Sequence, residues 1–182
     1  KNSVAVAQAN LDSNQATSNQ QIRQAQANIA TTRNLLEQDR ISLNQSKIAL
    51  QQAEIQLQQY QSNSRSSKIN YENAKAEYNR SKELFQKKFI SKKSLEDAKA
   101  SYATSTSQYE SARKNVESQI RTVESQSQNI EARNRAIENR QTTLKLEGLN
   151  LESTKSAQEA RQKQLEAELK NTQTRLQEIL ET

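Results

Sequence analysis

The chain has 182 residues, with no Pro, Cys, His, Met or Trp and a single Gly, Gly148. Globular domains punctuate their turns with Pro and Gly, so this composition allows very few chain reversals and points to a small number of long helices. Only 32% of residues are hydrophobic, enough for a narrow coiled-coil seam but not for a layered core, and the 27 basic and 21 acidic residues (net +6) are mixed along the chain rather than gathered into the basic segment of a nucleic-acid-binding coiled coil.

Without His, Cys or a Gly-rich loop, and with carboxylates alternating with Lys and Arg, the sequence carries no catalytic residues, no cofactor site and no metal-ligand cluster. No apolar run is long enough for a membrane span or a signal peptide. The chain begins and ends inside helical pattern and reads as a piece of a larger protein.

The first predicted element is an outgoing helical arm, residues 1–87. Stepping by sevens from Ile22 gives Ile29, Leu36, Leu43, Leu50, Leu57, Ser64, Tyr71, Tyr78 and Phe85, all large and apolar or aromatic except Ser64. A seven-residue period sustained this long is the coiled-coil signal. Three positions on, the residues are mostly small: Ala25, Thr32, Ser46, Ala53, Ser67, Ala74 and Ser81. Such a large/small seam lets two backbones approach closely. Ile41, Ile48 and Ile55 recur by sevens two positions before the main stripe, with Ile69 and Ala76 further on. They point away from the seam, either as scattered surface apolars or as a contact with a third helix or a second copy. The Ser- and Asn-rich stretch 61–68 leaves two readings open, continuous helix or a break that splits the arm, because these side chains compete for backbone hydrogen bonds.

The second element is a turn near residue 90, with the tip at 88–91. Ser91 fits the N-cap of the return helix, its hydroxyl accepting from the amide of Lys93 or Ser94. Ile90 and Leu95 then occupy the two positions of a hydrophobic staple. Arg80 and Leu84, four apart, share a helical face, and Leu84 is offset by about 100° from the core residue Phe85. Lys82, Lys87, Lys88, Lys92 and Lys93 make the turn basic.

The third element is the return arm, 92–182. From Leu95 the sevenfold series runs through Tyr102, Tyr109, Val116, Val123, Ile130, Ile137, Leu144 and Leu151, and beyond Gln158 through Leu165 and Ile179. Ala98, Ser105 and Ala112 are its small partners. If the chain reverses near 90, position i faces position 180 − i. Phe85 then meets Leu95, Tyr78 meets Tyr102, Tyr71 meets Tyr109, Leu50 meets Ile130 and Leu36 meets Leu144. The alignment of two stripes about one centre predicts an all-α antiparallel coiled-coil hairpin forming a single domain, with Gly148 as a slight kink.

The segment from Tyr78 to Ala98 resembles the hairpin tip of HlyD/AcrA-type membrane fusion proteins, the periplasmic adaptors. That family carries an Arg, a Leu four later and a Ser seven beyond it, and Arg80, Leu84 and Ser91 match this spacing. The chain departs from the pattern at Lys88, where many relatives have Gly, and it lacks the flanking lipoyl and β-barrel domains. The resemblance implies that Arg80, Leu84 and Ser91, supported by Lys87, Lys88, Ile90 and Leu95, dock tip-to-tip onto a TolC-like outer-membrane channel. It further implies a link to an inner-membrane transporter, ABC-type or proton-driven, through the missing domains. The location would be the periplasm or cell envelope of a Gram-negative-type bacterium, anchored at the inner membrane, and the full-length assembly a hexamer. Lateral self-association through Ile41, Ile48 and Ile55 would build it, with no nucleic acid as partner. The competing class is a cytoskeletal or chromosome-organising coiled coil, which usually carries denser Glu/Lys charge beside its seam than this Gln/Ser/Asn-rich chain.

Overall fold

The computed structural model describes residues 2–181; Lys1 and Thr182, the outermost residues of the two expected arms, lie outside the described residues. The chain is an all-α helical hairpin. Helix α1 spans Asn2–Gln86 and helix α2 spans Lys92–Glu181, packed antiparallel with no strand among the described residues. The outgoing helix ends one residue earlier than the expected 87, so the reversal occupies 87–91 and takes in Lys87. The return helix starts at Lys92, as the Ser91 cap requires. No described helix is long and apolar enough to cross a membrane.

Of the two readings of 61–68, the structure takes continuous helix. The Ser66 hydroxyl donates to the Ser62 carbonyl one turn back (3.2 Å), so it is satisfied within the helix, although such a bond slightly weakens the ladder whose acceptor it shares. Ser64 and Ser67 are half-buried against the other arm. Tertiary packing outweighs the weak propensity of the segment.

The helices divide into two compact units, residues 42–133 and residues 1–41 with 134–182. In the 42–133 unit the expected mirror register is visible in the tyrosines. Tyr78 and Tyr102 stack nearly parallel, with ring centroids 5.6 Å apart and planes 4° apart. Tyr71 lies 5.5 Å from Tyr109 and 5.7 Å from Tyr102, so the rings form one continuous pile. Such pairs add about 0.5–1.5 kcal/mol each beyond the area they bury. Ala53 and Ser81 are buried at the small positions, and Ala53 lends its carbonyl to Gln119 Nε2 across the seam at 2.9 Å. An open groove of about 600 Å³ lies beside Ser64, Val116 and Ile120.

The seam thins at the end of this unit. Phe85, placed in the seam opposite Leu95, is 37% exposed. The chain reverses just after it, so no further layer of the second helix exists to cover the ring.

The tyrosine pile makes this unit sensitive to alkali. The adjoining Tyr102 side chain, with burial as a second cause, holds the Tyr71 hydroxyl above its ordinary value of 10.0, while Lys75 pulls the other way. A raised folded-state pKa favours the neutral phenol in the fold. That stability is therefore whole below pH 10 and is lost as pH rises through the folded value. The melting temperature should fall less steeply above pH 10 in Tyr71→Phe than in the wild type; equal slopes would refute the linkage.

In the other unit, Leu11, Ile29, Leu36, Ile137 and Leu165 form the core, each 7–9% exposed. Polar groups stitch the same seam: Arg140 Nε donates to Asp39 Oδ2 at 2.5 Å, Thr32 Oγ1 to Glu147 Oε1 at 3.2 Å, and Gln158 Nε2 to Gln21 Oε1 at 3.0 Å. All three follow the mirror register to within one residue. Gly148 stays within α2, with nothing within 4 Å of where a Cβ would stand.

The expected continuation of the stripe to Ile179 is corrected here. Ile179 is 72% exposed; the stripe stays covered through Leu165 and Thr172, while the companion series shifts by one residue to Gln162, Leu169 and Leu176. In α1 the burial pattern adjusts correspondingly at Asn14 and Gln15. A straight helix has 3.6 residues per turn, so a strict seven-residue stripe drifts by about 20° each heptad. Advancing the seam by one residue in both helices takes up the drift.

Candidate functional site: the hairpin tip

The tip is a turn held at both ends by backbone geometry. On the outgoing side, the Phe89 amide donates to the Leu84 carbonyl and the Lys88 amide to the Phe85 carbonyl, both at 2.9 Å. This pair of bonds is the Schellman ending, which needs one residue in the left-handed region just past the helix. Lys88 supplies it at φ 62°, the one non-glycine positive φ described. Without glycine there the turn accepts about 1 kcal/mol of strain.

On the return side, Ser91 Oγ accepts from the Ser94 amide at 3.1 Å, and the Leu95 amide bonds to the Ser91 carbonyl at 3.3 Å. Ser91 is therefore the N-cap of α2, and a cap of this kind contributes about 1 kcal/mol. Ile90 and Leu95 are half-buried, consistent with the staple.

The candidate contact residues sit on this frame. Arg80 is exposed and held by Glu77 at 3.2 Å, an i,i+3 pair whose side chains are both more than half exposed. Such a pair is worth little and releases easily. Leu84, expected to stand clear of the seam, is half-buried, so part of its surface already belongs to the hairpin. Lys87 and Lys88 lie exposed in the loop; Lys92 reaches Glu96 at 3.6 Å. Phe89 is 73% exposed. Sequence reasoning did not single it out, although an aromatic residue next to a cap position, inside a lysine-rich loop, was the available signal.

Comparison with protein-family models, curated proteins and solved structures finds no match to this chain. The tip must therefore be judged on its own chemistry. It offers cationic donors, a half-covered leucine and an uncovered aromatic ring on a turn hydrogen-bonded at both ends. Among the described residues no group of three or more carboxylates is placed to hold a metal ion.

Away from the tip, Ile41, Ile48, Ile55 and Ile69 are each between 49 and 61% exposed, so the apolar row on α1 lies on the surface as its offset from the stripe requires.

Proposed function

We propose that the chain is the channel-docking hairpin of a periplasmic adaptor of tripartite or type I export, meeting a TolC-like outer-membrane channel tip-to-tip. The observation that carries this reading is the doubly fastened turn. A Schellman ending and a Ser91 cap fix the backbone between Arg80, Leu84 and Ser91, the residues whose spacing resembles the adaptor tip. Arg80 supplies fork-like donors to carbonyls or carboxylates, Leu84 an apolar contact, and Ser91 the cap that keeps both in place. The adaptor would stand in the periplasm and reach its inner-membrane transporter through domains outside this chain. The reading is tested by binding of the full-length protein to a purified TolC-like channel. Binding should occur and weaken between low and high salt, because the contact is partly exposed; no binding at low salt removes the proposal.

The isoleucine row supports lateral association of hairpins, with a hexamer as the state the resemblance implies. Burying it between copies recovers about 25 cal/mol per Å² of apolar surface. In sedimentation of the full-length protein, Ile48→Lys should dissolve the assembly, and an unchanged oligomer counts against this part.

A further inference from the structure

Phe89 is the most exposed large apolar side chain described anywhere in the chain. In a Schellman ending the residue at its position commonly folds its side chain onto the last turn of the helix, here at Leu84. The Phe89 amide does bond to the Leu84 carbonyl, yet the ring remains in water while Ile90 and Leu95 take the partly covered places. Lys88, which precedes it, is held left-handed to complete the same turn. Lys82, Lys87, Lys88 and Lys93 stand near it in sequence, and none of them forms an ion pair among the described residues.

We propose that Phe89 is the anchor of the tip contact. It enters an apolar slot on a partner protein whose rim carries carboxylates facing Lys87, Lys88 and Lys93. The inference rests on the tip-docking reading and adds the shape and charge that the docking surface must have. A protein slot fits better than a lipid surface for two reasons. The ring is carried by a backbone fixed on both sides, and a pre-shaped anchor gains affinity from a pre-shaped pocket because little ordering remains to be done. Membrane binding instead scales with the apolar area inserted, and one ring beside a partly exposed Phe85 offers little. Central aromatic anchors ringed by polar contacts are also the usual carriers of protein–protein affinity.

The chain contains no Trp, so Phe89→Trp places the one tryptophan of the hairpin at its tip, and the spectra of the unmodified full-length protein and of the channel are subtracted as background. The full-length variant is titrated with a purified TolC-like channel and, separately, with vesicles of phosphatidylcholine and phosphatidylglycerol. Emission should shift to the blue with the channel and stay put with vesicles. Phe89→Ser should bind the channel about thirty-fold more weakly by surface plasmon resonance, with melting nearly unchanged because Phe89 is 73% exposed. If the channel binds without moving the tryptophan emission, or Phe89→Ser binds like the wild type, the anchor is refuted while tip docking stands. A shift with vesicles alone overturns the inference in favour of a lipid surface. If the unmodified protein does not bind the channel, both readings fall.

Discussion

Arg80→Asp should abolish export by the full-length protein while leaving helicity and melting temperature close to wild type. Arg80 is exposed and its pair with Glu77 is open to solvent, so its loss costs the hairpin well under about 1 kcal/mol. At a docking surface the same change is severe. Losing a charge-assisted hydrogen bond costs about 1.5–3 kcal/mol, and reversing the sign adds repulsion against whatever carboxylates the partner presents. Leu84→Asp should abolish export too, but with a lower melting temperature, because Leu84 is half-buried. The contrast between the two makes Arg80 the cleaner probe. Normal export by Arg80→Asp would mean that the tip is only a turn.

The second large effect lies in the seam. Leu36→Ala should destabilise the hairpin by about 2–3 kcal/mol, the lower part of the range for a buried leucine. Leu36 is 7% exposed, yet no side chain among the described residues is fully enclosed, so water can enter the space left behind. Ile41→Ala, five residues away on the exposed face, should change stability by less than about 0.5 kcal/mol in the dilute chain. Urea unfolding of the two variants separates them. Similar midpoints would mean that the seam assignment is wrong.

Much of this architecture could be read from the sequence because a coiled coil writes its packing into a period. The pairing of Tyr78 with Tyr102 and of Tyr71 with Tyr109 follows from two stripes and one centre of reversal. Ser91 announces the return helix through short-range chemistry, a hydroxyl three residues before an unsatisfied amide. What escaped depends on ends and on drift. Phe85 fits the stripe, but a stripe does not reveal that the next layer is missing. Ile179 fits the period, but the period of a real helix is not seven halves. The Asp39–Arg140 and Thr32–Glu147 bonds were hidden because polar residues at small seam positions read as spacers, not as partners. At the tip, the resemblance already marked position 88 as a glycine place, and the structure keeps the left-handed torsion there with Lys88, whereas the uncovered ring of Phe89 is encoded in no side-chain pattern.

The mirror register has a consequence for how such a chain can change length. Seven residues inserted into one arm alone would keep the stripes in phase but slide every layer beyond that point onto the wrong neighbour, parting Asp39 from Arg140 and Thr32 from Glu147. Length can therefore be gained or lost only in matched instalments, one heptad in each arm at mirror positions, and each instalment moves the tip by about 10 Å. Deleting a single heptad should cripple the protein, and deleting its mirror heptad as well should restore the fold with a shorter reach. The seam is graduated in heptads, and natural relatives with longer or shorter arms should differ from it by multiples of fourteen residues.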